Sequence, residues 1–295
     1  MPEKECIIVA GPTAIGKTSF AISLAEKFKT AIISADSRQC YRELDIGVAR
    51  PSATELARVQ HYFIANHSIT SNINAASFAR EAEIYLDELF GSHNSVILCG
   101  GTGLYIKALV EGLDEIPEIP TSVRAEVIAL FESKGLPGIQ QALDEIDADF
   151  KLKSDFNNPN RVMRALEVSL HTGMPIAQFQ LGETRQKAWK EKGYVFKYCI
   201  MELSREILYS RINQRVDQMI ADGLEEEVRG LNDFKNLPAL KTVGYQEFFD
   251  YFEGLQTRAE AIAKIKQHTR NYAKRQVTWF NKVKSNLTQD AVFRP

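Results

Sequence analysis

Residues 11–18 read G-P-T-A-I-G-K-T, which fits the phosphate-binding loop pattern G-x-x-x-x-G-K-[ST]. In such a loop the glycines let backbone N–H groups and the start of the following helix face an anion. Lys17 adds a mobile positive charge, and a hydroxyl such as that of Thr18 can hold Mg²⁺. The residues expected to bind a di- or triphosphate, with Mg²⁺ on Thr18, are Gly11, Pro12, Thr13, Ala14, Ile15, Gly16, Lys17 and Thr18.

Two further apolar runs end in polar residues. Asp36 follows residues 31–35, a position where an NTPase supplies a carboxylate to hold Mg²⁺ or activate water, although Asp often caps a turn instead. Residues 95–99 lead into Gly100, Gly101 and Thr102, where a hydroxyl could bind a ligand and a plain tight turn is an equal alternative. The guanine-reading pattern N-K-x-D does not occur, which argues against a GTPase switch.

Two pairs of arginines are spaced to lie together on predicted helices. Arg211 and Arg215 border the apolar stripe of a helix expected over residues 204–221. They either cover apolar surface with their stems or, beside a phosphate loop, clamp an anionic leaving group. Arg161 and Arg164 stand one turn apart on another predicted helix, where a surface ion pair with Glu167 is the alternative to a binding role.

Alternating strands and helices must position these residues. Strand-type runs at residues 6–10, 31–35, 61–65, 95–99 and 195–200, separated by helical patterns, predict an α/β fold with a parallel sheet covered on both faces. The phosphate loop then lies at the carboxyl ends of the strands. Residues 114–193 read only as helices, at 122–134, 138–147 and 159–172, so we expect a small helical domain inserted into a core of residues 1–113 and 194–295.

Composition predicts a cytoplasmic globular protein. The 295 residues are 44% hydrophobic with a net charge of −2, and no apolar run approaches the roughly 18 residues that cross a bilayer. The four scattered cysteines suggest neither a disulfide framework nor a zinc site. We expect a monomer, because no apolar stripe is left without an assignment. Residues 255–295 carry nine basic and two acidic residues, and aromatics interleave them at 270–280, a mixture that suits RNA or a solvated helix face.

Together the motifs resemble the tRNA dimethylallyltransferase family, also called tRNA isopentenyltransferases. The blocks that carry the resemblance follow in order along nearly the whole chain, at residues 11–18, 36–41, 45–51, 100–105, 161–167, 243–245 and 273–280. The resemblance implies a P-loop NTPase-like α/β core with a helical insertion, together gripping a tRNA anticodon stem-loop. It implies Mg²⁺-dependent transfer of a dimethylallyl group from dimethylallyl diphosphate to N6 of the adenine 3′ of the anticodon, in tRNAs that read codons beginning with U.

The resemblance also implies roles for single residues. Asp36 matches the general base that takes the proton of the adenine amine, and Thr13 orients the reacting groups. Lys17, the loop amides, Mg²⁺ on Thr18 and Arg211 would stabilise the departing diphosphate. The residues implied to contact tRNA are Asp36, Ser37, Arg38, Gln39, Thr102, Arg124, Asn160, Arg161, Val162, Met163, Arg164, Lys241, Thr242, Val243, Gly244, Tyr245, Gln246, Lys274, Arg275, Gln276, Val277, Thr278, Trp279, Phe280 and Asn281.

The chain departs from the family pattern at a few positions. Val48 and Arg50 replace Thr and Lys, Asn158 replaces an acidic residue, and Asn66 stands where Asp is common. Three other functions stay open at this point: an adenylate isopentenyltransferase that makes cytokinin from free AMP or ATP, a small-molecule kinase, and an RNA-binding regulator with a degenerate phosphate loop.

Overall fold

The computed structural model describes residues 3–114, 116–179 and 184–293. Contacts divide the chain into two compact units, a larger one of Met1–Glu111 with Arg185–Pro295 and a smaller one of Gly112–Thr184. The smaller unit overlaps most of the interval expected for an insertion, residues 114–193, but it begins two residues earlier, at Gly112, and residues 185–193 belong to the larger unit. Arg294, one of the basic residues counted above, lies outside the described residues.

The larger unit is built on a sheet of five parallel strands in the order β3-β2-β4-β1-β5. The strands are β1 (Lys4–Ala10), β2 (Ile32–Ser34), β3 (His61–Tyr62), β4 (Ser95–Gly100) and β5 (Tyr194–Ile200). The central strands are almost wholly buried, as apolar strands covered on both faces should be. The predicted α/β fold is therefore confirmed, although β3 is shorter than the apolar run over residues 61–65.

Helices surround the sheet and form the smaller unit. In the larger unit they are α1 (Lys17–Phe28), α2 (Ala53–Arg58), α3 (Ala75–Leu89), α4 (Gly103–Val110), α8 (Thr184–Lys192), α9 (Arg205–Ala221), α10 (Leu224–Gly230), α11 (Gln246–Phe252) and α12 (Arg258–Asn286); in the smaller unit they are α5 (Thr121–Asp144), α6 (Phe150–Lys153) and α7 (Pro159–Thr172). None of the helices in the described parts of the chain is long and apolar enough to cross a bilayer.

Helices α9 and α12 pack against the phosphate loop. Ala14 and Ile15 of the loop share one buried cluster with Leu208 and Ile212 of α9 and with Ala273 of α12. These apolar contacts join segments far apart in sequence, and each helix thereby brings one polar edge to the loop. The site is thus assembled at the carboxyl edge of the sheet from both ends of the chain.

The smaller unit has its own core, built by α5 and α7 around Val127, Leu143 and Leu166. The two helices predicted over residues 122–134 and 138–147 are both present within α5, and a break at Gly135, whose φ of 63° is not helical, separates them. Asn158 caps α7, because its side-chain oxygen accepts from the two following free N–H groups of that helix. Asn fills this cap as well as an acidic residue does, which explains the departure at this position.

Helix α8 belongs to the larger unit because its tryptophan is buried there. Trp189 is 3% exposed, and its indole N–H donates to the Leu109 carbonyl over 3.0 Å. Its ring lies 5.7 Å from that of Tyr194 and 5.4 Å from that of Phe196, both on β5. Helix α8 therefore packs against β5, the strand that follows it in the chain.

Candidate active site

The phosphate loop joins β1 to α1 beneath a cavity of about 270 Å³, which Lys17 and Thr18 line. The Lys17 ammonium group donates to the Pro12 carbonyl at 2.8 Å and so lies across the loop. Burial lowers the pKa of Lys17, and Arg215 lowers it further, whereas the charge of Asp36 raises it. These charged groups therefore lie within electrostatic reach of one another.

Asp36 follows β2, and among the described residues only one of its carboxylate oxygens accepts hydrogen bonds. Oδ1 accepts from the backbone N–H groups of Arg38 at 2.9 Å and Gln39 at 3.3 Å, so it caps the turn that it begins. No described residue donates a hydrogen bond to Oδ2. The turn-capping role and a chemical role are thus compatible, because one oxygen fixes the side chain and the other stays available.

A second cavity of about 360 Å³ adjoins the first. Part of its wall is apolar, with Val216, Met219 and Ile265, whereas the first cavity is lined mainly by the loop and by charged side chains. The residues that line both cavities are Thr13, Asp36, Val48, Ala49, Arg215 and Tyr272. A free carboxylate oxygen and a guanidinium group thus stand where an anion-binding cavity meets a partly apolar one.

Of the two arginines on α9 that the sequence singled out, Arg211 and Arg215, it is Arg215 that faces the cavities. Its Nη1 donates to the Thr13 hydroxyl at 3.4 Å, and the side chain is half-buried. Arg211 is exposed, lines neither cavity, and donates to the Ile15 carbonyl at 3.2 Å. The sequence interpretation assigned the clamp on the leaving group to Arg211. The structure favours Arg215, because Arg215 lines both cavities, whereas Arg211, one helical turn away, lines neither.

Tyr272 on α12 lines both cavities and was missed from the sequence. Its hydroxyl interacts electrostatically with the side chain of Thr102, and burial, aided by the charge of Asp36, raises its pKa to about 12. Tyr272 therefore remains a neutral phenol at the pH of the cell. Thr102 also accepts from the Ser37 N–H at 3.1 Å, so its hydroxyl is engaged inside the protein. The only sequence signal was the mixture of aromatic and basic residues in this stretch.

Gln276, also on α12, connects the helix to the phosphate loop. Its Oε1 accepts from the Thr13 N–H at 2.9 Å, and its Nε2 donates to the Gly101 carbonyl at 2.9 Å. A Cβ atom at Gly101 would lie 2.3 Å from Nε2, so this close approach requires glycine. Gln276 is 6% exposed, and its side chain serves the loop rather than an external ligand.

Comparison with known proteins decides the family. The sequence model of the IPP transferase family matches residues 39–283 of this chain. The chain belongs to the IPP transferase family. It is 44% identical to the tRNA dimethylallyltransferase of Cytophaga hutchinsonii over 95% of this chain and 90% of that protein. It is 43% identical to that of Christiangramia forsetii, over 94% of this chain and 90% of the relative. The crystal structure of a tRNA isopentenylpyrophosphate transferase from Bacillus halodurans has a TM-score of 0.65 and 34% identity, covering 95% of this chain and 87% of that one.

In this IPP transferase the residues implied to contact tRNA divide by exposure. Those exposed on α12 are Lys274, Arg275, Val277, Thr278, Trp279 and Asn281. Those exposed or half-buried elsewhere in the larger unit are Asp36, Ser37, Arg38, Gln39, Thr102, Lys241, Thr242, Val243 and Gln246. The side chains of Val162, Tyr245 and Phe280 are buried, so they stabilise the fold around the exposed positions. Contact of the exposed set with RNA stays a prediction.

In the smaller unit the implied contacts lie around α7. Asn160, Arg161 and Arg164 line a cavity of about 490 Å³. Arg164 and Arg124 also reach one buried carboxylate, that of Glu167, at 3.2 Å and 3.3 Å. The predicted ion pair between Arg164 and Glu167 is therefore present, while Arg161 remains exposed.

Proposed function

We propose that the protein transfers a dimethylallyl group from dimethylallyl diphosphate to N6 of the adenosine immediately 3′ of the anticodon, in tRNAs that read codons beginning with U. Family membership and relatives named tRNA dimethylallyltransferase support tRNA prenylation. The observation that carries the proposal is the pair of adjoining cavities with Asp36 on their common wall. One cavity suits a diphosphate, and the other suits a base and a short apolar chain.

On the donor side, the diphosphate lies over the loop. Lys17 and Arg215 supply positive charge where the leaving group accumulates negative charge, and the Thr13 hydroxyl lies beside Arg215. The available donor set fits Mg²⁺, because the Thr18 hydroxyl lines this cavity and Mg²⁺ prefers few protein oxygens together with phosphate oxygens and water. When bound there, Mg²⁺ would neutralise part of the diphosphate charge.

On the acceptor side, Asp36 removes a proton. The exocyclic amine of adenine is a weak nucleophile, since its lone pair is delocalised into the ring. As the N6–carbon bond forms and the carbon–oxygen bond to diphosphate breaks, the extra N6 proton passes to Oδ2 of Asp36. The two backbone N–H groups on Oδ1 hold the carboxylate in place during this transfer.

The RNA must present its base to this cavity. A base inside the stack cannot reach Asp36, so the target adenine has to leave the stack, as other base-modifying enzymes require. The exposure of Lys274 and Arg275 on α12 supports a role for them in binding RNA phosphates. Both cavities are lined by one chain, so we propose that a monomer is sufficient, and the tRNA acceptor implies action in the cytoplasm.

The proposal is tested by acceptor competition. Purified protein, Mg²⁺ and labelled dimethylallyl diphosphate are incubated with unmodified tRNA or with AMP, and nucleosides are analysed by mass spectrometry. We expect prenylated adenosine at the position 3′ of the anticodon, and none in a tRNA with another base there. Transfer to AMP alone would instead assign the adenylate reaction, and phosphate transfer from ATP without prenylation would assign a kinase.

A further inference from the structure

Glu227 on α10 binds three successive backbone N–H groups. Its carboxylate accepts from Asp45 at 3.1 Å, Ile46 at 2.7 Å and Gly47 at 3.0 Å, and from the Tyr245 hydroxyl at 2.5 Å. Successive N–H groups around one anion form a nest, a geometry that stabilises negative charge strongly. Here the anion belongs to the protein, and nothing in the family resemblance gives this glutamate a role.

The segment held by Glu227 is the 45–51 loop, defined as residues 45–51. Val48 and Ala49 of this loop line both cavities, and Arg50 and Pro51 line the one above the phosphate loop. Gln39 holds the next part of the loop, because its Nε2 donates to the Val48 carbonyl at 3.2 Å and to that of Ala49 at 2.9 Å. The loop thus forms part of the cavity lining and is held by hydrogen bonds from two other segments of the chain.

The conformation of the loop needs such anchors. Ala49 has φ of 48°, a left-handed conformation that is strained for a residue with a Cβ. Gly47 rests on the ring of Tyr245 so closely that an added Cβ would lie 2.6 Å from it. Tyr245 is fully buried, and burial together with the charge of Glu227 raises its pKa, so its hydroxyl keeps the proton that it donates.

We propose that Glu227 is a positioning residue that fixes the 45–51 loop as the common wall of the donor and acceptor cavities. Tyr245 is its partner, and this explains why a buried residue lies inside the segment 241–246 that the resemblance links to tRNA. Without the carboxylate, three N–H groups lose their acceptor and the strained wall relaxes. The donor would then bind less tightly beside Asp36. The kinetic part of this inference rests on the proposed function.

Glu227→Gln tests the inference with little change in size. The amide has one acceptor oxygen in place of two, so it cannot satisfy all four donors. We expect hydrogen exchange of the amides at residues 45–47 to accelerate about tenfold or more, while exchange in α4 is unchanged. The KM for dimethylallyl diphosphate should rise about tenfold, with a smaller change in kcat. Glu226→Gln, at the exposed neighbouring position, is the matched control and should behave as the unmodified protein.

Tyr245→Phe provides an independent variant if Glu227→Gln does not fold. It removes only one of the four donors, and we expect smaller changes in the same direction. Unchanged exchange at residues 45–47, or faster exchange with an unchanged donor KM, would overturn the positioning role. A wild-type protein that transfers no prenyl group would refute the proposed function instead, and the exchange experiment would still report on the anchor.

Discussion

Replacing Asp36 with Asn separates its chemical role from its structural one. The amide oxygen of Asn can accept the same two backbone N–H groups that Oδ1 accepts, so the turn survives. The NH₂ group then occupies the place of the free oxygen and cannot take a proton. Loss of a general base lowers turnover by a factor of ~100 or more, equal to about 2.7 kcal/mol in activation free energy.

The contrast with Asp36→Ala sharpens the test. Ala removes both hydrogen bonds to Oδ1, and losing such a cap costs about 0.5–2 kcal/mol of folding stability. Asn keeps them at a cost of about 1 kcal/mol or less, because a neutral acceptor replaces a charged one. We therefore expect both variants to be slow, and only the Ala variant to unfold at a clearly lower temperature.

The assay is single-turnover prenyl transfer with saturating tRNA and donor, together with tRNA binding and thermal unfolding. Asp233→Asn is a suitable control, because Asp233 is exposed and lines neither cavity. Turnover of Asp36→Asn within fivefold of wild type would remove Asp36 from the role of base. Equal loss of tRNA binding and of rate would point to recognition rather than proton transfer.

Three further predictions concern charge around the loop. Arg215→Ala should lower kcat/KM for the donor by ~10- to 100-fold, because a charge-assisted contact in the cavity is lost, and steady-state kinetics should show a smaller effect for the paired control Arg211→Ala. Only the protonated form of Lys17 binds the diphosphate, and burial lowers the pKa of Lys17. Donor affinity should therefore fall as the pH rises at values below 10.5, where a free lysine still holds its proton. A titration of donor binding that stays flat up to that pH would contradict this prediction. Replacing Lys274 and Arg275 with Ala should weaken tRNA binding and reduce the slope of log K against log salt by about 1–2, measured by filter binding across salt concentrations.

Local patterns were enough to predict the sheet and the anion site. The phosphate loop is defined by the spacing of its own residues and by the strand and helix that flank it. Asp36 was found for a similar reason, because parallel strands bring their carboxyl ends to one edge. Of the alternatives weighed for Asp36, the turn cap is present at Oδ1, and the chemical role stays a prediction.

Residues contributed by distant helices could not be placed in the same way. Helical spacing puts Arg211 and Arg215 on one stripe, but only the packing of α9 on the loop decides which of them reaches the cavity. Gln276 reads as one polar residue in a basic helix, and its partner Thr13 lies at the other end of the chain. The bonds of Glu227 to the 45–51 loop are equally long-range.

The bond between Gln276 and Thr13 also determines how the loop can receive an anion. One amide of the loop is already committed to a side chain of the protein, so an incoming phosphate oxygen finds fewer vacant donors there than the eight-residue motif suggests. Binding of the anion therefore depends more on the positively charged side chains that line the cavity, Lys17 and Arg215, which can move away from it. In the proposed reaction, which releases diphosphate, weaker binding by the backbone favours dissociation of this product after each turnover.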